Sequence, residues 1–590
     1  MKEAPPTVEG QTVPDPRQHK SRQRSRWFGA LTVLALTVCA IQLFSIQIIR
    51  GPALAEQGRK VRTSATEVSA PRGKIVDASG QTLVDSVETY HIAVNQKNIL
   101  EWKHRDEDGK LIGQGPADAA EQLAPLLKMD PAELGGMMLG DSTYAYLAKN
   151  VDAATFRKIK ALGIYGIEWE PVYQRAYPGG NTAASIIGSV DANGLGNSGL
   201  ELVYDDVLTG IPGEESFEIG PTGEVIPGAK TVSKEARTGG TVHTTIDADL
   251  QNSVQEYLDQ AVKTYEADWG SVVVLDVATS RVLAMGDSGL QSPAKGPQPS
   301  GSVQWVIEPG SVGKILTVAT ALEQGTVTPD TVFSVPDRYE TKDGEVITDI
   351  HEHETYQRTV AGIITESSNT GAVQIGETVT DQARHETMSK LGLGKLTGIE
   401  LPGESPGILA PAEDWLGRSI YTTMFGQGYA MTPLQEAAMM AAIGNGGVWQ
   451  GPRLVSGTTD ANGKFHAEET PEPVQAIQPE TAQILLKMME GVSTDAQIGT
   501  GTAAAVEGYR VAIKTGTSEL PSGGTVATVA GVLPADKPQL AIAVVLNNPR
   551  SGYLSSDSAA PLFHQVASAA VTSLGIPGST GPVELYPTAP

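Results

Sequence analysis

Ser311 and Lys314 stand three residues apart in Glu308-Pro309-Gly310-Ser311-Val312-Gly313-Lys314, where a Pro-Gly turn leads into a helical run through Leu316, Val318, Ala319 and Leu322. That spacing shares one helical face, so the Lys314 amine would lie one turn beyond the Ser311 hydroxyl, within reach of its proton. The chemistry is nucleophilic attack by a serine with a lysine as its base. A lysine is a base only when neutral, and burial beside another cation lowers its pKa, so this reading demands a second positive charge. Lys514 supplies it, in Lys514-Thr515-Gly516-Thr517 at the end of a strand from Val511. Strand alternation sends Lys514 and Gly516 to one face, where the glycine would let substrate backbone approach closely. The third piece, Thr365-Glu366-Ser367-Ser368-Asn369-Thr370-Gly371, falls between helical segments 360–364 and 372–378. Its hydroxyl and amide groups can relay a proton and hold a substrate amide. Singly these are a chance spacing, a strand end and a helix cap; in this order they make the serine acyl-transferase set Ser-x-x-Lys, Ser-x-Asn and Lys-Thr-Gly.

The elements that must position them follow from hydrophobic pattern. Ser271-Val272-Val273-Val274-Leu275 and Arg281-Val282-Leu283-Ala284-Met285 read as a β-hairpin. Residues 511–514, 525–533 and 540–546 are three further β-rich runs, followed by a helix over 561–574. Two early strands and three late ones around a helical middle predict one antiparallel five-stranded sheet flanked by helices, an α/β domain over 241–575. Asp247 caps a long amphipathic helix at its start. Ahead of the Thr238-Gly239-Gly240-Thr241 punctuation, residues 50–240 alternate β-rich pieces such as 89–94 with helical ones such as 117–127, an α+β pedestal module. Residues 576–590 form a C-terminal tail.

Residues 27–49 form an apolar run long enough to cross a hydrocarbon core of ~30 Å. Arg17, Lys20, Arg22, Arg24 and Arg26 precede it, which places the N-terminus in the cytoplasm and the acidic remainder outside. A cleaved signal peptide with Ala53-Leu54-Ala55 at the cleavage site is the competing reading. The run exceeds a signal core, and Arg50 separates it from that site, which favours an anchor. Cys39 follows Val38 where a lipobox wants a small residue, and reads as a helix-packing thiol. Residues 1–26, proline-rich and polar at their start, read as a disordered cytoplasmic tail.

With 43 basic against 68 acidic residues the net charge is −25, which argues against sequence-independent nucleic-acid binding. One cysteine excludes intramolecular disulfides and thiolate metal clusters. His351-Glu352-His353-Glu354 has no obvious third ligand and reads as a polar surface loop.

These three motifs bring the chain to a family: from residue 27 onward it resembles the class B penicillin-binding proteins, single-pass peptidoglycan transpeptidases. Pro71-Arg72-Gly73-Lys74-Ile75-Val76-Asp77, Arg175-Ala176-Tyr177-Pro178 with Ile187-Gly188, Gly199-Leu200-Glu201, and Phe425-Gly426-Gln427-Gly428 before Thr432-Pro433-Leu434-Gln435 add to the match. The resemblance implies that Ser311 attacks the penultimate D-alanine carbonyl of a stem peptide, with Lys314 as base and Ser367 passing the proton to the departing D-alanine. Asn369 would bind the substrate amide, Lys514 tune the field, and Thr515, Gly516 and Thr517 contact substrate, with backbone N–H groups of Ser311 and Thr517 holding the oxyanion. It implies covalent inhibition by β-lactams, no metal or organic cofactor, and a SEDS-family glycan polymerase and other divisome membrane proteins as partners. Phe425-Gly426-Gln427-Gly428 and Ala535-Asp536-Lys537-Pro538 look more septal than elongation-type. Asp77-Ala78-Ser79-Gly80 departs from the family's usual Arg-Asn-Gly, and Gly313 lowers helix propensity by ~1 kcal/mol against alanine.

Rival readings stay open on motifs alone. A β-lactamase shares them, although the anchor and pedestal argue otherwise; a membrane-tethered β-lactam sensor would need a cytoplasmic effector larger than 26 residues, and a division scaffold would leave the serine idle.

Overall fold

The computed structural model describes residues 16–180, 182–218, 231–289 and 300–590. The chain forms two compact units, Met1–Val68 with Pro212–Ala236, and Ser69–Ile211 with Arg237–Pro590.

In the first unit a helix spans Pro16–Phe44 and runs into a wide turn at Ser45–Ile49 and a second helix, Gly51–Arg62. Within it, Arg26–Ile49 is long and apolar enough to cross a membrane. Residues 16–26, expected to be disordered, are helical; residues 1–15 of that expected tail lie outside the described residues. The physical reason is that Pro16 suits a first helical position and the Arg, Gln and Lys residues after it are good helix formers with no breaker before Trp27. Thr63–Val68, Gly213–Glu218 and Thr231–Lys234 make a three-stranded antiparallel sheet.

The second unit holds the expected five-stranded sheet. Its strands are β1 (Trp269–Asp276), β2 (Val282–Ser288), β3 (Ala512–Glu519), β4 (Thr525–Leu533) and β5 (Leu540–Asn547), in the spatial order β2-β1-β5-β4-β3. Every neighbouring pair is antiparallel. Consecutive residues of β1, β4 and β5 are nearly all buried, so both faces are covered and the strands read as continuous apolar runs rather than alternating ones. The flanking helices are α1 (Ala248–Thr264), capped by Asp247 as expected, α2 (Lys314–Glu323), α3 (Val360–Glu366), α4 (Asn369–Gly376), α5 (Pro433–Gly444), α6 (Pro479–Thr494) and α7 (Ala559–Ser573). Helices α1 and α7 pack on each other and on the sheet, and α6 lies against β3.

A second sheet crosses the position where the sequence divides pedestal from α/β domain. Thr241–Thr244 pairs with Ile75–Val76 on one side and Val455–Thr459 on the other, and the sheet continues through Thr82–Val94 to Ala145–Asp152 and Ile167–Ala176. Residues 69–211 are therefore continuous with the catalytic half. The final residues are packed: the Thr359 N–H and hydroxyl, which begin α3, donate to the carbonyls of Thr588 and Pro587.

Candidate active site

Ser311 lies in a 3₁₀ turn, Gly310–Gly313, that feeds α2, whose first residue is Lys314. This turn fixes the spacing read from sequence: Lys314 Nζ is 2.9 Å from Ser311 Oγ. The turn is pressed into the molecule by glycines. A Cβ on Gly313 would stand 2.1 Å from Tyr429 Oη, and one on Gly426, at φ +97°, 1.6 Å from the Gly310 carbonyl oxygen.

Ser367 sits between α3 and α4 at φ +68°, a left-handed conformation unusual for a residue with a Cβ. Its surroundings over-determine it. Lys314 Nζ donates to its carbonyl and lies 3.2 Å from its hydroxyl, and Lys514 Nζ lies 2.8 Å from the same hydroxyl. One residue on, Ser368 caps α4 by accepting the Gly371 N–H at 2.9 Å. The run thus caps helices and also builds the site.

Ser311, Lys314, Ser367 and Lys514 therefore form one hydrogen-bonded chain. Both lysine side chains are fully buried. Burial drives the Lys314 pKa down to about 7, opposed by the negative charges of Asp349 and Glu366. Burial, reinforced by Lys314, holds Lys514 well below the usual lysine range. Near neutral pH Lys314 can thus be the neutral amine that proton abstraction requires.

Thr515 and Thr517 face a cavity of about 640 Å³ onto which Ser311 and Ser367 open. The Thr517 hydroxyl is 3.2 Å from that of Ser555, and the Thr515 hydroxyl 2.7 Å from that of Thr500. Gly516 departs from expectation. Its missing Cβ points at the Pro309 carbonyl oxygen, 2.3 Å away, and at Thr528 Cγ2, 2.7 Å away, so the glycine admits the Ser311 turn rather than substrate backbone. Asn369 stands apart from the lysine–serine chain, its Nδ2 donating to the Thr348 carbonyl at 3.0 Å.

The run His351-Glu352-His353-Glu354, expected as a surface loop, contributes both histidines to the cavity wall, with Asp349, Tyr356 and Glu366. Asp349 anchors the Ser-x-Asn segment: it accepts the Ser368 hydroxyl at 2.8 Å and the N–H groups of Asn369 and Thr370 at 2.5 and 3.0 Å. Sequence reasoning missed it because an acid about twenty residues upstream of the helix it caps carries no local signature.

Comparison with known proteins agrees with this geometry. Residues 270–568 match the model of the penicillin binding protein transpeptidase domain, and 67–244 that of the penicillin-binding protein dimerisation domain. The chain belongs to the class B penicillin-binding proteins. It is 35% identical to penicillin-binding protein PbpB of Mycolicibacterium smegmatis over 94% of this chain and 91% of that one. It is 31% identical to the peptidoglycan D,D-transpeptidase FtsI of Escherichia coli, over 92% and 90% respectively. The crystal structure of penicillin-binding protein 3 of Mycobacterium tuberculosis complexed with aztreonam superposes with a TM-score of 0.67 at 29% identity, covering 89% of this chain and all of that one. In this penicillin-binding protein the Pro-Arg-Gly, Arg-Ala-Tyr-Pro and Gly-Leu-Glu motifs converge: Glu201 receives Arg72 Nε at 2.6 Å and Arg175 Nε at 2.8 Å.

Proposed function

We propose that this penicillin-binding protein is a septal peptidoglycan D,D-transpeptidase, anchored by residues 27–49 with its N-terminus in the cytoplasm and its catalytic half outside. The observation that carries the reading is the buried chain Ser311–Lys314–Ser367–Lys514 opening onto a cavity lined by Thr515 and Thr517.

Neutral Lys314 takes the Ser311 proton as Oγ attacks the penultimate D-alanine carbonyl of a donor stem peptide. The oxyanion falls to the N–H groups of Ser311 and Thr517. The proton passes through Ser367 to the leaving amine, the C–N bond breaks and terminal D-alanine departs. An amine of a second stem peptide then gives up a proton along the reverse path, attacks the ester carbonyl, and restores Ser311 as the new amide forms. Lys514, donating to the Ser367 hydroxyl, tunes the field along the proton path, Asn369 holds the substrate amide, and the Thr515 and Thr517 hydroxyls take the terminal carboxylate. A β-lactam, like the aztreonam of the mycobacterial complex, would be trapped at the ester stage. A SEDS-family polymerase and other divisome proteins are the proposed membrane partners.

The full-length chain in detergent, mixed with a fluorescent penicillin, should form an adduct that persists for hours and is absent in Ser311→Ala, which deletes only the nucleophile's oxygen. Rapid loss with turnover would indicate a β-lactamase, and labelling at another serine would remove the assignment.

A further inference from the structure

His353 holds a position in the cavity wall that the mechanism above leaves unused. Its Nδ1 is 2.9 Å from the Glu354 carbonyl oxygen and its Nε2 is 3.1 Å from Asp349 Oδ2. A main-chain carbonyl only accepts. Asp349 is likewise committed as an acceptor, because the Ser368 hydroxyl and the N–H groups of Asn369 and Thr370 all point at it. A neutral imidazole has one hydrogen for these two acceptors, so the ring that fits carries two and is positively charged.

The ring also belongs to a column that grips both ends of the Ser-x-Asn segment. His353 stacks on Tyr356 with ring centroids 4.5 Å apart, and the Arg358 guanidinium lies 4.4 Å from the Tyr356 centroid. Arg358 Nε is 2.7 Å from Glu366 Oε2, and Glu366 directly precedes Ser367. Asp349 and His353 thus hold Ser368-Asn369 from one side, Arg358 and Glu366 hold Ser367 from the other, and Tyr356 joins them.

We propose that His353 is a positioning residue for Ser311 acylation: its positive charge offsets Asp349, seating the Ser-x-Asn segment and preventing Asp349 from stabilising the ammonium form of Lys314. The role rests on the transpeptidase reading. The charged groups around the imidazole are Asp349 and Asp337, with Arg358 beyond Tyr356, and two of these three are anions. Burial pulls the His353 pKa down, but the Glu354 carbonyl and Asp349 outweigh it and the net direction is up. The imidazolium therefore persists to higher pH than that of a free histidine and is lost as pH rises past its raised value. Without it, Asp349 acts at full strength on Lys314, whose pKa rises, so less neutral lysine is present at pH 7.

The test is the rate of fluorescent-penicillin acylation of the full-length chain across the neutral range, for wild type, His353→Gln and His353→Lys. His353→Gln should acylate up to about fivefold more slowly at pH 7, and up to about tenfold more slowly a unit or more below it, with the acid limb of its profile moved upward by up to about one unit. His353→Lys should return the limb toward wild type, because it restores charge without an imidazole. A wild-type limb in His353→Gln overturns the proposal, as does equal slowing at every pH with no rescue by lysine, which is the mark of a purely structural contact. His353→Asn gives a second neutral variant should His353→Gln not fold. Absence of a Ser311-dependent adduct in the wild type would overturn the transpeptidase reading itself, and this role with it.

Discussion

Arg72 and Arg175 are buried around Glu201, and each guanidinium finds a carboxylate; Lys314 and Lys514 are buried around Ser367, and their amines find only hydroxyl and carbonyl oxygens. In the arginine cluster Arg72 reaches Asp205 as well, at 2.7 Å, and donates to the Glu201 carbonyl at 2.8 Å. An arginine keeps its charge, so burial is tolerable only with anions supplied. A lysine can instead shed its proton, and burial without a contacting carboxylate forces it to do so. One cluster holds segments far apart in sequence in register. The other keeps an amine poised as a base.

Removing a member of each cluster should separate the two roles. Lys314→Met should lower the rate of penicillin acylation by about 10²–10⁴-fold, the usual worth of a general base, while the melting temperature stays level or rises. In the wild type the acylation rate should climb as pH rises through about 7, because Lys314 gains base character on losing its proton. Stability carries the same sign. The folded pKa lies below the unfolded value, so stability is greatest above the unfolded lysine range and falls as pH drops toward the folded pKa. Lys314→Met should flatten that slope in urea titrations. Loss of folded protein instead would show that Lys314 holds the fold as the arginines do.

Glu201→Ala should do the reverse. Two buried guanidiniums lose their shared carboxylate, a change worth about 3–5 kcal/mol of stability, whereas the acylation rate of protein that remains folded at low temperature should match wild type. A melt and a labelling time course on the same preparation decide it, and a large fall in rate would mean that the arginine cluster reaches the catalytic chain.

Glu436 is a third buried charge site, on α5, and tests whether titration or pairing governs. Its carboxyl oxygens lie 2.9 and 3.0 Å from the single hydroxyl of Thr528, and burial pushes its pKa up to about 8. The folded carboxyl keeps its proton after the unfolded one has lost it, so stability should decline as pH rises from the unfolded carboxyl value toward 8. Glu436→Gln should therefore be more stable than wild type at pH 7.5, by about 4 kcal/mol, with the gain vanishing near pH 4. A constant difference across pH would point to packing instead.

Much of this was legible in sequence because it is local. The serine-to-lysine spacing, the five strands and the Asp247 cap depend on neighbours within one or two turns, and the fold keeps them. Asp349, His353 and Thr500 were not legible, because their partners are set by how distant loops meet. The polar run containing His351 and His353 was read as surface because polarity reports contact with water, and a cavity wall is in contact with water too. Glu201 stood in a recognised motif, but its two arginines could be matched to it only once the strands had placed them.

Gly313 shows the limit most sharply, since sequence and structure predict opposite signs for one substitution. By helix propensity alone, Gly313→Ala should stabilise by ~1 kcal/mol. In the fold Gly313 is buried in the 3₁₀ turn, and the added methyl would stand 2.1 Å from Tyr429 Oη and 2.6 Å from Gly426 Cα. Tyr429 is itself buried, and Gly426 is backbone, so neither neighbour yields easily. The expected result is a loss of about 1–3 kcal/mol in a denaturant titration. It should come with slower acylation, because any relief must displace the turn that carries Ser311. A stabilised variant would mean that the catalytic turn has slack, and that the contrast with the carboxylate-paired arginine cluster lies in charge alone and not in packing.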